Sequence, residues 1–246
     1  MTASEREAVR QEFTRAAAGF ADRTRGRFDS LGVLGFSQVP PGASVVEVGG
    51  GTGSFISLFE GGGRTLVNVD LTPAMLAVSR RSHPRVLLLN ADAAKLPLAT
   101  GSVDLVAGAQ VLHHIHKPLP VLREMKRVAA PTGRVLIVDQ CATERYEEAV
   151  AMNELEIVRD PSHAASRPPS AFRTLLRAAG LSILGERVVE VPERFSQWMR
   201  PGEFPDERIR SVLDFIERRG RETGMRFERD GDEWVFTRRR IMLLAE

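Results

Sequence analysis

Val45-Val46-Glu47-Val48-Gly49-Gly50-Gly51-Thr52-Gly53 decides how this 246-residue chain is read. Three valines around an acid form a run suited to a strand buried on both faces, as in the parallel sheet of an α/β protein. Four glycines follow within five positions, where positive φ and a close backbone approach to a ligand are permitted. Ser54-Phe55-Ile56-Ser57-Leu58-Phe59 then reads as the opening of a helix whose free N–H groups face an anionic group. The stretch is a nucleotide-type binding turn.

The third glycine narrows the choice of nucleotide. A dinucleotide fingerprint runs G-x-G-x-x-G. Gly49 and Gly51 fit it, but Ser54 stands in the third place and the glycine falls earlier, at Gly53. The order E-V-G-G-G-T-G resembles motif I of the class I S-adenosylmethionine-dependent methyltransferases. The resemblance is closest to the ubiquinone and menaquinone biosynthesis enzymes. It implies that Glu47 helps hold the methionine amino end while Gly49, Gly51 and Gly53 line the cofactor.

Downstream spacing extends the resemblance. Thr65–Asp70 reads as the second strand, and an acid at its carboxyl end accepts from ribose hydroxyls in nucleotide-binding α/β folds. Leu71 lies against the adenine, and Thr72-Pro73 starts a helix. Residues 85–90 form the third strand, after which Asp92 and Ala93 match the family's adenine contacts. Leu96-Pro97-Leu98 and Ser102-Val103-Asp104-Leu105-Val106 resemble the family's L-P-F and S-F-D-x-V. The fourth strand, 103–108, brings Gln110 to the cofactor's sulfur. Leu119 to Val128 reads as a helix, Pro131-Thr132-Gly133 as a turn and 134–139 as the fifth strand.

His113, His114 and His116 do not have a metal set's spacing, because no carboxylate completes it and adjacent side chains diverge; no metal is expected. One of these histidines faces the active site as a base, or they cap and pack the next helix. Arg159-Asp160-Pro161-Ser162-His163 resembles a segment of the substrate-covering insertion in a bacterial subgroup. His163 is the first candidate base and His114 the second.

The ends complete the plan. Val9, Phe13, Ala16, Ala17 and Phe20 recur at helical spacing near the start. Phe13 to Phe20 is similar to the family's leading F-x-x-A-x-x-Y segment, which closes over the cofactor. Beyond residue 140 come helices over 144–158, 170–179 and 206–219, a sixth strand from 180 to 191 and a last strand from 233 toward 244. The expected fold is α/β: a Rossmann-like seven-stranded sheet, mostly parallel with an antiparallel last strand, helices on both faces and a helical substrate cap. The division is a helical lid over 1–36, a cofactor core over 37–140 and sheet with cap insertions over 141–246, all one domain. Phe20, Tyr146, Arg159 and Trp198 are the candidate substrate contacts.

Charge and composition set the remaining expectations. The net charge is +2 and the pI about 9.1, with lysine only at positions 95, 117 and 126. The arginines are interleaved with acids and read as a solvated surface, so neither nucleic acid nor membrane is the expected partner. The lone cysteine, Cys141, forms no internal disulfide and reads as a small buried hydrophobe. With no long apolar segment, a cytoplasmic location is expected, as monomer or homodimer. The resemblance implies S-adenosyl-L-methionine as cofactor and methylation of a small quinone-like or secondary-metabolite acceptor on oxygen, carbon or nitrogen. The alternative is a cofactor-binding cyclase or rearrangement enzyme of the same fold. Nicotinamide oxidoreduction is disfavoured by Ser54, and RNA methylation lacks a visible RNA-binding appendage.

Overall fold

The computed structural model describes residues 3–24, 26–200 and 204–246. Residues 1, 2 and 25 of the expected lid lie outside the described residues. In chain order come α1 (Ala3–Thr24), α2 (Val33–Ser37), β1 (Ser44–Val48), β2 (Thr65–Asp70), α3 (Pro73–Ser82) and β3 (Leu87–Asn90). Then follow β4 (Val103–Ala109), α4 (Leu119–Val128), β5 (Ala129–Gln140), α5 (Tyr146–Arg159) and α6 (Pro169–Ala178). The chain ends with β6 (Ile183–Arg194), α7 (Phe195–Trp198), α8 (Asp206–Arg219), β7 (Glu228–Asp230) and β8 (Glu233–Ala245).

The sheet order is β3-β2-β1-β4-β5-β8-β6, with β7 paired to β8 alone. Strands β3, β2, β1, β4 and β5 run parallel, and β8 enters antiparallel between β5 and β6. This is the expected mostly parallel sheet. The short β7 adds an eighth strand, turning into β8 through Gly231 at φ 62°.

Alternation along the strands divides the core in two. Val46, Val48, Val135 and Ile137 pack with Leu122 and Met125 of α4 and with Phe172 and Leu176 of α6. Val45, Leu136, Val138 and Met242 pack on the other face, against Phe55, Ile56 and Phe59. Period-2 strands with both faces covered give the valine-rich runs seen in the sequence. A third cluster joins Met152 and Leu155 of α5, Trp198, Val212 and Ile216 of α8, and Phe236 of β8. That cluster is the helical cap.

Several boundaries differ from expectation, among them β6, which runs Ile183–Arg194 in place of 180–191, and α5, which starts at Tyr146 in place of 144; three differences have a local cause. After the glycine turn only a 3-10 turn forms, Ile56–Phe59, because Gly61, Gly62 and Gly63 follow with positive φ and cannot extend a helix. The third strand begins at Leu87, since the Val86 N–H turns back to the His83 carbonyl. The Pro131-Thr132-Gly133 turn lies within β5, whose pairing with β4 shifts register between Val103 and Leu105. Among the described residues, no helix is long and apolar enough to cross a membrane.

Candidate functional site

The carboxyl ends of β1, β2 and β4 open into a cleft roofed by Val9, Phe13, Phe20 and Thr24 of α1. Two glycines show how the turn is built. Gly49 sits at φ 68°, and a Cβ there would come within 2.2 Å of Val111. Gly51 sits at φ 53°, yet the nearest atom to its missing Cβ is Met75 Sδ at 4.0 Å. Gly49 is therefore required by packing, whereas at Gly51 a side chain would fill the cleft itself. Gly53 also has positive φ, 84°, with Ser79 beneath it. Ser54 Oγ lies 2.8 Å from Thr24 Oγ1, tying the turn to the end of α1.

Asp70 closes the turn from below. Its Oδ2 accepts the Gly51 N–H at 2.9 Å and its Oδ1 accepts the Thr72 N–H at 2.7 Å. Burial raises its carboxyl above the ordinary range despite these bonds. Leu71, Asp92 and Ala93 line the same cleft. Asp92 accepts the Ala94 N–H through Oδ1 at 2.9 Å and pairs with Arg6 through Oδ2 at 3.5 Å. Glu47 is deeper, 1 % exposed, and its Oε2 accepts the Ile56 N–H at 3.0 Å. Burial pushes Glu47 up to about 8, with Asp70 adding to the effect. One face of Glu47 thus holds the 3-10 turn while the residue still borders the cleft. Asp70 and Asp92 beside a glycine cradle form an acceptor wall suited to hydroxyls and amino groups, while Glu47, which keeps its proton below about pH 8, can release it when a positively charged group comes near.

The histidines differ from their expected placement. His163, the first candidate base, lies outside the cleft: its Nε2 donates to Asn153 Oδ1 at 2.8 Å and its Nδ1 faces Gln140 Nε2 at 3.5 Å. Burial brings it down to about 4, so it rests neutral with both nitrogens engaged. It braces the loop before α6. His114 does line the cleft, donating from Nδ1 to the Ser162 carbonyl at 3.2 Å with its ring edge-on to Phe13.

His113, not singled out above as the base, also lines the cleft, and its Nδ1 meets Asp139 Oδ1 at 2.5 Å. Asp139 further accepts the Leu112 and Gln140 N–H groups. The bond to Asp139 fixes the tautomer and leaves Nε2 as the accepting nitrogen. Burial holds His113 well below the usual imidazole range, with His114 and His163 acting in the same direction. Nor do the adjacent side chains diverge: the 3-10 turn Leu112–His114 brings the rings of His113 and His114 to 4.1 Å. The missed signal was Asp139, at the end of a buried strand beside the histidine turn.

A second chamber, of about 460 Å³, lies beyond the cleft between α1, the end of α5 and β8. Here the solvated-surface reading of the arginines fails. Arg238 and Arg240 are 4 % and 3 % exposed, on the β8 face that carries Phe236 and Met242. Arg238 pairs with Glu156 at 2.9 Å and bonds Gln140, while Arg159 pairs with Glu156 at 3.2 Å. Burial opposes ionisation of Glu156, but Arg238 and Arg159 outweigh it and hold the carboxyl down at about 2. Arg27 and Arg240 both donate to Gln110 Oε1. Gln110, expected beside the cofactor's sulfur, lines the cleft with φ at 53°, a left-handed strain on the order of 1 kcal/mol for a non-glycine residue. Its N–H donates to the Val138 carbonyl at 2.8 Å.

Of the expected substrate contacts, Phe20 and Arg159 border both cavities and Trp198 borders the chamber. Tyr146 borders neither; it is 77 % exposed at the start of α5 and is withdrawn from the site. Cys141 is buried and pushed up to about 12 by desolvation, which makes it inert as a nucleophile.

Residues 46–137 match the family model described as a methyltransferase domain. The uncharacterized methyltransferase YcgJ of Bacillus subtilis is 25 % identical over 177 residues, 70 % of each chain. The solved YcgJ structure has a TM-score of 0.79 at 21 % identity, covering 88 % of this chain and 97 % of that one. The demethylmenaquinone methyltransferase of Renibacterium salmoninarum is 32 % identical over 40 % of this chain and 42 % of its own length. The [4+2]-cyclase SpnF shares the fold alone, with a TM-score of 0.62 at 16 % identity over 89 % of this chain and 80 % of that one. Residues 46–137 thus match a methyltransferase domain, and the glycine turn, the strand-end acids and the antiparallel β8 around it make the chain similar in sequence and fold to S-adenosylmethionine-dependent methyltransferases.

Proposed function

We propose that the chain binds S-adenosylmethionine in the glycine cleft and methylates a small molecule held in the adjoining chamber. The observation that carries this reading is the open space at Gly51, bordered by Asp70, Leu71, Asp92 and Ala93. In it Asp70 accepts from ribose hydroxyls, Asp92 and Ala93 meet the adenine edge, and Glu47 attracts the amino end. When bound, the cofactor supplies a methyl group on a positively charged sulfur, which keeps the bonding electron pair as the methyl passes to the acceptor. The protein's part is alignment, exclusion of water and removal of a proton.

His113 is positioned for the proton. Asp139 holds Nδ1–H and stabilises the imidazolium that forms when Nε2 accepts a proton from the acceptor. Because burial holds His113 below the usual imidazole range, it matches an acidic phenol or enol whose proton is lost as the methyl arrives, and the demethylmenaquinone methyltransferase among the relatives supports a quinone-like acceptor. A secondary-metabolite acceptor, action in the cytoplasm and a monomeric or homodimeric state complete the proposal.

The test is calorimetric titration of S-adenosylmethionine and S-adenosylhomocysteine, followed by an acceptor screen with labelled methyl. Binding together with transfer of label supports the proposal. Binding with conversion of an acceptor but no label transferred replaces it with the cyclase reading. Absence of binding in folded protein overturns both.

A further inference from the structure

The outer chamber has a charge imbalance that methyl transfer does not by itself explain. Six arginines border it, against the carboxyls of Glu12, Asp160 and Glu193. Glu156 stands behind the wall as the fourth acid, shared between Arg159 and Arg238. Among the described residues the positive excess is two. Glu12 is engaged by Arg15 and Arg208, Asp160 accepts from Ser162, and Glu193 meets Arg240 at 3.4 Å. Arg27 has no carboxylate partner among the described residues; it donates to Gln110 Oε1 at 3.1 Å, an atom it shares with Arg240. Two guanidiniums converging on one neutral amide oxygen leave a site that attracts an anion.

The hydrogen-bonding inventory is equally one-sided. Arg159 Nε, Arg238 Nε, Trp198 Nε1 and Gln110 Nε2 are buried without an acceptor among the described residues, and all four are donors. Among the described residues no unpaired acceptor accompanies them at this wall. Buried polar groups are normally satisfied, so a donor surplus beside a cavity points to a ligand rich in acceptors. The guanidinium of Arg159 is stacked 5.0 Å from the Trp198 ring and 5.8 Å from that of Phe204. Flanked by rings and by Glu156, it is a pre-ordered planar fork of the kind that grips a carboxylate or phosphate.

We propose that the chamber is an oxyanion subsite for the methyl acceptor, whose substrate carries a carboxylate or phosphate beside an apolar planar body. The anionic group lies between Arg27 and Arg159, and the body lies against Phe13, Phe20 and Trp198. This rests on the methyltransferase reading above.

The experiment titrates the full chain first with S-adenosylhomocysteine and then, at saturation, with 4-hydroxybenzoate, phenyl phosphate and the neutral 4-hydroxybenzamide. At least one acid is expected to bind tenfold or more tightly than the amide. Which of the two binds better identifies the oxyanion. In Arg159→Gln the preference should fall toward unity while S-adenosylhomocysteine affinity stays within about threefold. If circular dichroism shows that variant unfolded, Arg27→Gln, which removes no ion pair, takes its place. Equal binding of acid and amide, or binding of none of the three probes to protein loaded with S-adenosylhomocysteine, overturns the subsite. An acid preference that disappears at saturation also overturns it, because the cofactor's own carboxylate would then be the anion. Failure to bind S-adenosylhomocysteine defeats the methyltransferase reading instead, and the probes titrated without it still report whether the chamber prefers acids.

Discussion

The cleft at β1 and β2 and the chamber at β8 are neighbours of opposite electrical character. The cleft is walled by Glu47, Asp70 and Asp92 around bare backbone, whereas the chamber is walled by arginines and aromatic rings. In the proposed complex the first receives a ligand with a positive sulfur and many donors, the second a ligand with acceptors and negative charge. The chemistry lies between them, where His113 and Gln110 border the cleft beside Arg27 and Arg238. A favourable field at each end aligns two dissimilar molecules without a covalent hold on either.

The contrast can be broken at the centre first. His113→Ala should lower kcat/KM by ~10²–10⁴ with an acceptor that needs deprotonation, leaving S-adenosylhomocysteine affinity unchanged by calorimetry. His163→Ala should act through thermal stability instead. On the cleft side, Asp70→Ala should weaken S-adenosylhomocysteine binding by about 10- to 100-fold, the value of one or two charge-assisted hydrogen bonds.

Glu47 sharpens the contrast through pH. Its folded-state value, about 8, lies above the ordinary 4.5, so the folded protein keeps a proton that the unfolded chain releases. That contribution to stability is fully present below pH 4.5 and is lost as pH rises toward 8, amounting to a few kcal/mol at most (on the order of 2–4). In thermal melts of the cofactor-free protein, Glu47→Gln should flatten the decline of Tm between pH 5 and 8. The smallest effect is expected at Tyr146, outside both regions. Tyr146→Ala should change stability by less than about 0.5 kcal/mol and leave acceptor affinity as it was.

The two regions also differ in how readily the sequence reveals them. The cleft is assembled from short strand-end segments, each with its own spacing: glycines after β1, an acid after β2, an acid after β3. Local order carries that information. The chamber's Arg27, Arg159, Arg238 and Arg240, with Gln110 and Glu156 that bond them, come from four distant parts of the chain, and only the sheet order brings them together. Arg238 and Arg240 did leave a trace. In a strand, alternate residues share a face, so Phe236, Arg238, Arg240, Met242 and Leu244 form one row. Arginine at two successive inward places of an otherwise apolar row signals a buried, paired charge. The interleaved acids hid it. His163 misled for the opposite reason: a suggestive segment supplied the residue type, while its partner Asn153 lies on the helix before it.

Helix α1 carries a kinetic consequence. Phe13 and Phe20 border both cavities, so one helix is a wall to cofactor and acceptor alike. Among the described residues it is held by a small apolar cluster with Met75 and Val78 of α3, the Arg6–Asp92 and Glu12–Arg208 pairs, and the Thr24–Ser54 contact. Displacing it exposes both chambers in a single event. Movement of this one helix then bears on the entry of both reactants and the departure of both products. Departure, rather than bond-making, is the expected slow step with a reactive acceptor, and solvent viscosity should reduce kcat in proportion.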